Sequence, residues 1–278
     1  RNAQGGGCVS RIEYSGLEFE PGMGLHTGWG QGEIFEQIFS QLRVPLHEAT
    51  LDDSDYVVRI PDQTEIRMRK DPTEFAEQLR AVFPDCASEA IEFYEIVDRG
   101  SSDVSTDTVL NRASATSLGF QRFIDAQLRA FIQTPIDRCA FVSGCNALKL
   151  PRQNLVEIVG GPAILAESLA QGITKAGGKV RLNSPVLRLA YDESGKPIGV
   201  DLLSGERVLA TRAVISNMTI WDTYGKLIGL NRTPSDLKKK MARLNGNGAY
   251  LIYASLESSA FERLPAKRFL ARRLDGAA

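Results

Sequence analysis

The chain has 278 residues, with 33 Lys and Arg against 34 Asp and Glu, and 43% of it is hydrophobic. That composition excludes a disordered or collagen-like chain, and the net charge of −1 gives no broad attraction to nucleic acid. The length suits one or two domains with a sizeable core. In chain order, Val9 and Ile12, then Leu17 and Phe19, predict two short strands joined around Ser15-Gly16. Glu33 to Val44 predicts a helix, because Ile34, Phe35, Ile38, Phe39 and Leu42 make one apolar stripe. Tyr56–Ile60 and Glu65–Arg69 flank Pro61-Asp62-Gln63 and predict a hairpin.

A helix follows with Asp71 as cap, Pro72 at its first position and Glu74 three after the cap. Phe75, Leu79 and Val82 mark its buried face, and Pro84 stops it. A second helix is predicted from Ser88 to Val97, and Gly100 to Thr108 reads as a polar loop. Ser117 to Gln133 carries the strongest helical period. Its Phe120, Phe123, Phe131 and Ile132 suit a core, an apolar substrate slot or a membrane-dipping face.

The second half changes character. Gly160-Gly161-Pro162 opens a helix with Ile164, Leu165, Leu169 and Ile173 inward, closed by Gly177-Gly178. Strands are then predicted at Lys179–Leu182, Val186–Tyr191, Ile198–Leu203, Arg207–Ala210 and Ala213–Ser216, with a further candidate at Asn247–Leu256.

No stretch reaches the ~18 apolar residues of a spanning helix. Leu155 to Ile173 is broken by Glu157 and Glu167, and Val208 to Leu230 by Arg212, Asn217 and Asp222. The cysteines Cys8, Cys86, Cys139 and Cys145 are too scattered for a disulfide scaffold and read as reduced thiols. Cys139 and Cys145 lack zinc-ligand spacing, and neither His26 nor His47 has a metal-like partner beside it, so no metal site is expected. His26 reads as a packed or solvent-facing residue, and Lys238-Lys239-Lys240 as a solvated helix face. Gly22-Met23-Gly24 and Gly28-Trp29-Gly30-Gln31-Gly32 lack the spacing of G-x-G-x-x-G and read as a turn between strand and helix. No residue is nominated as catalytic.

The order of these segments carries more weight than any one of them. A glycine pair precedes a strand ending Leu17-Glu18-Phe19-Glu20-Pro21-Gly22, and a helix comes next. Then come the hairpin beginning Asp55-Tyr56-Val57-Val58, the helix closed by Pro84, and the run Phe123-Ile124-Asp125-Ala126-Gln127-Leu128. The most specific stretch is Gly160-Gly161-Pro162, helix, Gly177-Gly178, Ser184-Pro185-Val186, hairpin, Ala213-Val214-Ile215-Ser216-Asn217, with Tyr224 and Leu227 after it. This order resembles the phytoene-desaturase-like FAD flavoproteins, the carotenoid desaturase and isomerase family.

The resemblance implies FAD as cofactor. It places Gly5 and Gly6, with Gly22 and Met23, near the flavin end, Val186 against the adenine through its backbone, and Asn217 alongside. Read on their own, Val186 could be only a core strand residue and Asn217 only a cap, and for Val186 the cofactor reading is the favoured one. The implied fold is α/β, a partial Rossmann-like FAD-binding domain interleaved with a substrate domain of mixed sheet and helices. Residues 1–30 and 155–230 fall to the cofactor half, and 31–154 and 231–278 to a substrate or membrane-facing half. The family's strand–G-x-G-x-x-G–helix and its closing glycine-rich segment do not occur in these 278 residues, which reads as a processed or truncated chain.

The implied activity is desaturation or isomerisation of a carotenoid or similar long polyene. Hydride removal from such a substrate belongs to a flavin, and no His, Cys or Ser engine is needed. The expected partners are the apolar substrate and a membrane surface, with no nucleic acid. The expected location is membrane-associated, at a bacterial cytoplasmic face or in a plastid, and not secreted. A second expectation is a non-catalytic relative serving as a structural or assembly subunit of a pigment-bearing membrane complex. A flavoprotein acting on amines, retinoids or other apolar substrates is a third.

Overall fold

In a computed structural model, which describes residues 5–20, 26–52, 56–60, 65–100, 107–244, 246, 251–262 and 268–271, most predicted elements appear where their capping and turn residues stand. Strands β1 (Ile12–Tyr14) and β2 (Leu17–Phe19) form a hairpin turned by Ser15 and Gly16, both at positive φ. Helix α1 (Ile34–Gln41) is shorter than the predicted 33–44, because Arg43 adopts the left-handed conformation at φ 53°. Strand β3 (Ala49–Asp52) precedes the predicted hairpin of β4 (Tyr56–Arg59) and β5 (Glu65–Met68), in which Tyr56 stands opposite Met68. Asp55 and the turn at 61–64 lie outside the described residues.

Helix α2 (Pro72–Val82) starts as its sequence dictates. The Asp71 carboxylate accepts the N–H groups of Thr73 at 2.8 Å and Glu74 at 2.9 Å. The Glu74 carboxylate pairs with Arg69 at 3.8 Å. After Pro84 comes α3 (Ala87–Arg99), closed by Gly100 at φ 77°. The predicted loop beyond it falls at 101–106, outside the described residues, and the chain resumes into the short α4 (Val109–Arg112). Helix α5 (Leu118–Ile132) is capped by Ser117, whose Oγ accepts the Phe120 N–H at 3.2 Å.

Helix α6 (Phe141–Lys149) was not predicted; its pattern is interrupted by Gly144 and Cys145, which are both buried. Strand β6 (Leu155–Ile158) pairs antiparallel with β3, Ala49 opposite Ile158. Then come α7 (Ala163–Lys175) and an antiparallel meander of β7 (Val186–Tyr191), β8 (Pro197–Leu202) and β9 (Arg207–Leu209). A π-helical segment (Asp222–Gly229), α8 (Ser235–Arg243), α9 (Ser258–Phe261) and β10 (Arg268–Ala271) complete the chain, with β10 parallel to β4.

Three strand predictions fail. Residues 179–182, 213–216 and 251–256 form no strand, and residues 247–250 of the last candidate lie outside the described residues. Val180, Leu182, Val214 and Ile215 are exposed, Ile215 at 92%. An apolar, β-branched run becomes a strand only when a neighbour supplies the ladder, and among the described residues none pairs with these.

The chain divides into two compact units. One comprises residues 1–22, 42–44 and 162–246; the other comprises 23–41, 45–161 and 247–278. The larger unit holds an aromatic core in which Phe83, Phe93, Phe120 and Phe123 meet at ring separations of 5.3 to 5.9 Å. Phe120 and Phe123 are wholly buried there, while Phe131 and Ile132 pack half-buried against it, so core packing accounts for the period of α5. Among the described residues no helix is long and apolar enough to cross a membrane.

Candidate functional site

Within the smaller unit, the glycine turn sits on α7. Gly6 and Gly7 stand at φ 110° and 55°, conformations that side chains rarely adopt. The Val9 N–H reaches back to the Gly6 carbonyl at 3.0 Å, and the Ser10 hydroxyl donates to the Gly7 carbonyl at 2.7 Å. A Cβ on Gly6 would stand 3.2 Å from Cβ of Ala166, so the turn packs closely against the first turn of α7. Around Gly5 the same construction meets open space. Helix α7 enters from Gly160 and Gly161, both at positive φ, through Pro162, with no side chain capping it.

Val186 opens β7 and is 46% exposed, so it is a strand residue but not a core one. Asn217 is exposed at the end of the irregular run 213–217. It is not the cap of the following helical segment. Thr219 fills that role: its Oγ1 accepts the Asp222 N–H at 3.1 Å and donates to the Asp222 carboxylate at 3.0 Å. Ser216 anchors the run, with its Oγ 2.9 Å from Oγ1 of Thr223. Gly5, Gly6, Val186 and Asn217 therefore fall in one compact unit, while Gly22 and Met23 lie outside the described residues.

The larger unit half-buries His26, which the sequence reads as a packed or solvent-facing residue. His26 exchanges two 2.9 Å backbone hydrogen bonds with Val156. Its Nε2 is buried without a hydrogen-bond partner, and burial lowers the imidazole pKa below its usual 6.5. Trp29 stands beside it at 6.4 Å and is itself pinned by its Nε1–H, which donates to the His47 carbonyl at 2.9 Å. No sequence signal distinguishes this histidine, since its Val156 partner is 130 positions away. The glycines between 28 and 32 do not form a phosphate cradle. The Gly30 N–H donates to the Glu33 carboxylate at 2.8 Å, and the Gly32 N–H donates to Glu36, so carboxylates already occupy those amides.

The remaining candidates are structural. Cys86, Cys139 and Cys145 are buried, and burial, then the neighbouring Cys145, pushes the Cys139 thiol up to about 11. Lys238, Lys239 and Lys240 lie exposed on α8. No cluster of metal-ligating side chains occurs among the described residues.

A dinucleotide needs a turn whose backbone it can approach closely, beside a helix start with free N–H groups. Gly5 with open space, the Gly6-Gly7 turn at positive φ and the side-chain-uncapped α7 fit that requirement. Residues 5–251 match the family described as flavin containing amine oxidoreductase. The chain belongs to that family. Its flavin supports FAD as the cofactor here.

Within the family, the chain is 33% identical over 129 residues to the chloroplastic prolycopene isomerase of Daucus carota, covering 42% of this chain and 20% of that protein. It is 34% identical over 70 residues to the neurosporene-forming phytoene desaturase of Rhodobacter capsulatus, covering 25% and 13%. The matches thus span about a fifth or less of these relatives' lengths. An oxidoreductase from Methanosarcina mazei superposes with a TM-score of 0.65 at 15% identity, over 85% of this chain and 57% of that one. That likeness supports the α/β class of the fold.

Proposed function

We propose that this protein is an FAD-dependent desaturase or isomerase acting on a carotenoid or similar long polyene at a membrane surface. The observation that carries the reading is the family match over residues 5–251, joined to relatives that are themselves a prolycopene isomerase and a phytoene desaturase. The chloroplastic relative points to a plastid membrane and the Rhodobacter relative to a bacterial one, the two locations the sequence leaves open.

When bound, the flavin supplies the hydride chemistry that side chains cannot. The chain's own contribution is binding and orientation. Gly5 and Gly6 admit the cofactor backbone-close beside α7; Val186 meets the adenine through its main chain, and Asn217 flanks it. Gly22 and Met23 belong to the flavin end in the same reading. No acid–base engine is assigned, and the Phe-rich α5 serves as core rather than as a substrate slot.

The test is the visible absorption spectrum of the native protein, followed by acid release and chromatography. Stoichiometric FAD, with loss of flavin retention in Gly5→Val at unchanged folding, is the expected result. Turnover of a supplied polyene then settles the reaction. A flavin-free protein that carries carotenoid or chlorophyll would overturn the enzyme reading and favour a structural subunit of a pigment complex.

A further inference from the structure

The lysine run of α8 is not among the cofactor positions, and its setting in the smaller unit gives it a different use. The helix is held at both ends. At its entry, the hydroxyl of the buried Thr233 lies 2.9 Å from the Tyr224 carbonyl and 3.0 Å from that of Gly229. At its exit, the Trp221 Nε1–H donates to the Met241 carbonyl at 3.1 Å. Between these anchors Met241 is buried and Leu237 half-buried, so α8 lies on its apolar side against its own unit.

The helical step of about 100° per residue fixes where the charges go. Lys239 falls opposite the Leu237–Met241 stripe, Arg243 stands one turn beyond it, and Lys238 and Lys240 flank the pair. All four are exposed. Other cations of this unit meet acids: Arg181 pairs with Glu206, Arg188 and Arg207 with Asp201, and Lys226 with Asp222. Among the described residues no carboxylate pairs with the four on α8, whose own acid is Asp236 alone. A chain of net charge −1 thus gathers four unanswered cations on one helix face.

Apolar groups stand beside that face. Trp221, pinned against the last turn of α8, is 38% exposed, and Leu244, directly after Arg243, is 40% exposed. A soluble polyanion would use the cations and leave Leu244 in water. An anionic bilayer uses both, because its phosphates lie just outside a boundary that accepts indole and leucine side chains.

We propose that α8 is the docking face for an anionic membrane. Lys238, Lys239, Lys240 and Arg243 meet the phosphates of its lipids, and Trp221 and Leu244 reach the boundary with the acyl chains. The inference deepens the membrane part of the proposed function and rests on that part alone, since neither FAD nor a polyene enters it.

The test is co-sedimentation of the native protein, with whatever cofactor it carries, with vesicles of phosphatidylcholine alone or with about a third phosphatidylglycerol. Binding is expected to the anionic vesicles only and to weaken as salt rises. It should fall roughly fivefold for each lysine replaced, so about a hundredfold in the triple variant Lys238→Gln, Lys239→Gln, Lys240→Gln. None of these lysines has a partner in the described fold, so the melting temperature should not fall. Brominated acyl chains should quench the fluorescence of the bound protein; Trp29→Phe keeps that quenching and Trp221→Phe loses it. A triple variant that binds like the wild type, or binding indifferent to lipid charge, overturns the proposal and leaves membrane association standing. Binding to neither vesicle overturns the membrane reading as well, while flavin retention and polyene turnover are read separately. Equal binding of an oligothymidylate through the same lysines, or quenching that survives in Trp221→Phe, overturns the lipid assignment.

Discussion

Asp201 accepts from Nε of Arg207 at 2.7 Å with one carboxylate oxygen, while its other oxygen accepts from Nε of Arg188 at 3.0 Å. One carboxylate on β8 thereby ties together the two strands that flank it, β7 and β9. The hydrogen bonds from Arg207 and then Arg188 lower its pKa to about 2 from 3.8. A depressed carboxylate pKa means that the unfolded chain takes up a proton before the folded one does. The stabilisation is present above pH 3.8 and is lost as pH falls toward 2. Denaturation midpoints of wild type and Asp201→Asn should differ at neutral pH and converge across that window.

His26 predicts a second pH effect at a different place. Burial lowers its pKa from 6.5, so below that pH the unfolded chain binds a proton that the folded chain refuses. Stability falls as pH drops from 6.5, and His26→Phe should remove that slope while leaving the carboxylate window intact. Urea midpoints between pH 7.5 and 5 measure it, and a variant with an unchanged slope would refute the assignment.

Gly144 tests the packing of α6. A Cβ there would stand 2.4 Å from Cγ2 of Val109, which is wholly buried on α4. Gly144→Ala is expected to cost about 1–3 kcal/mol by overpacking. Adding Val109→Ala frees the space, so the double variant should lose less than the sum of the two singles in chemical denaturation.

Asp71 offers the simplest check. Removing its carboxylate orphans the N–H groups of Thr73 and Glu74. Asp71→Ala should cost about 1 kcal/mol in a urea melt, and Asp71→Ser should recover most of it.

Much of the local structure was legible before any coordinates. The Asp71 and Ser117 caps, the Pro84 stop, the apolar periods of α2, α3 and α5, and the turns of the β7–β9 meander are short-range signals. A cap or turn needs only its neighbours in the chain, so sequence by itself determined where these elements begin and end. The family order of segments was also readable, because it consists of spacings rather than contacts. Tertiary structure alone decided the rest. Ala213–Ser216 looks like a strand but finds no ladder, and β3 joins β6 although more than a hundred residues separate them. Gly144 looks like a helix breaker and is instead the place where Val109 seats. The orphaned Nε2 of His26 and Nε of Arg152 exist only because distant segments close over them and leave one donor or acceptor unanswered. Such unmet hydrogen bonds are properties of the folded arrangement, set by which groups meet across the fold and invisible in the order of residues.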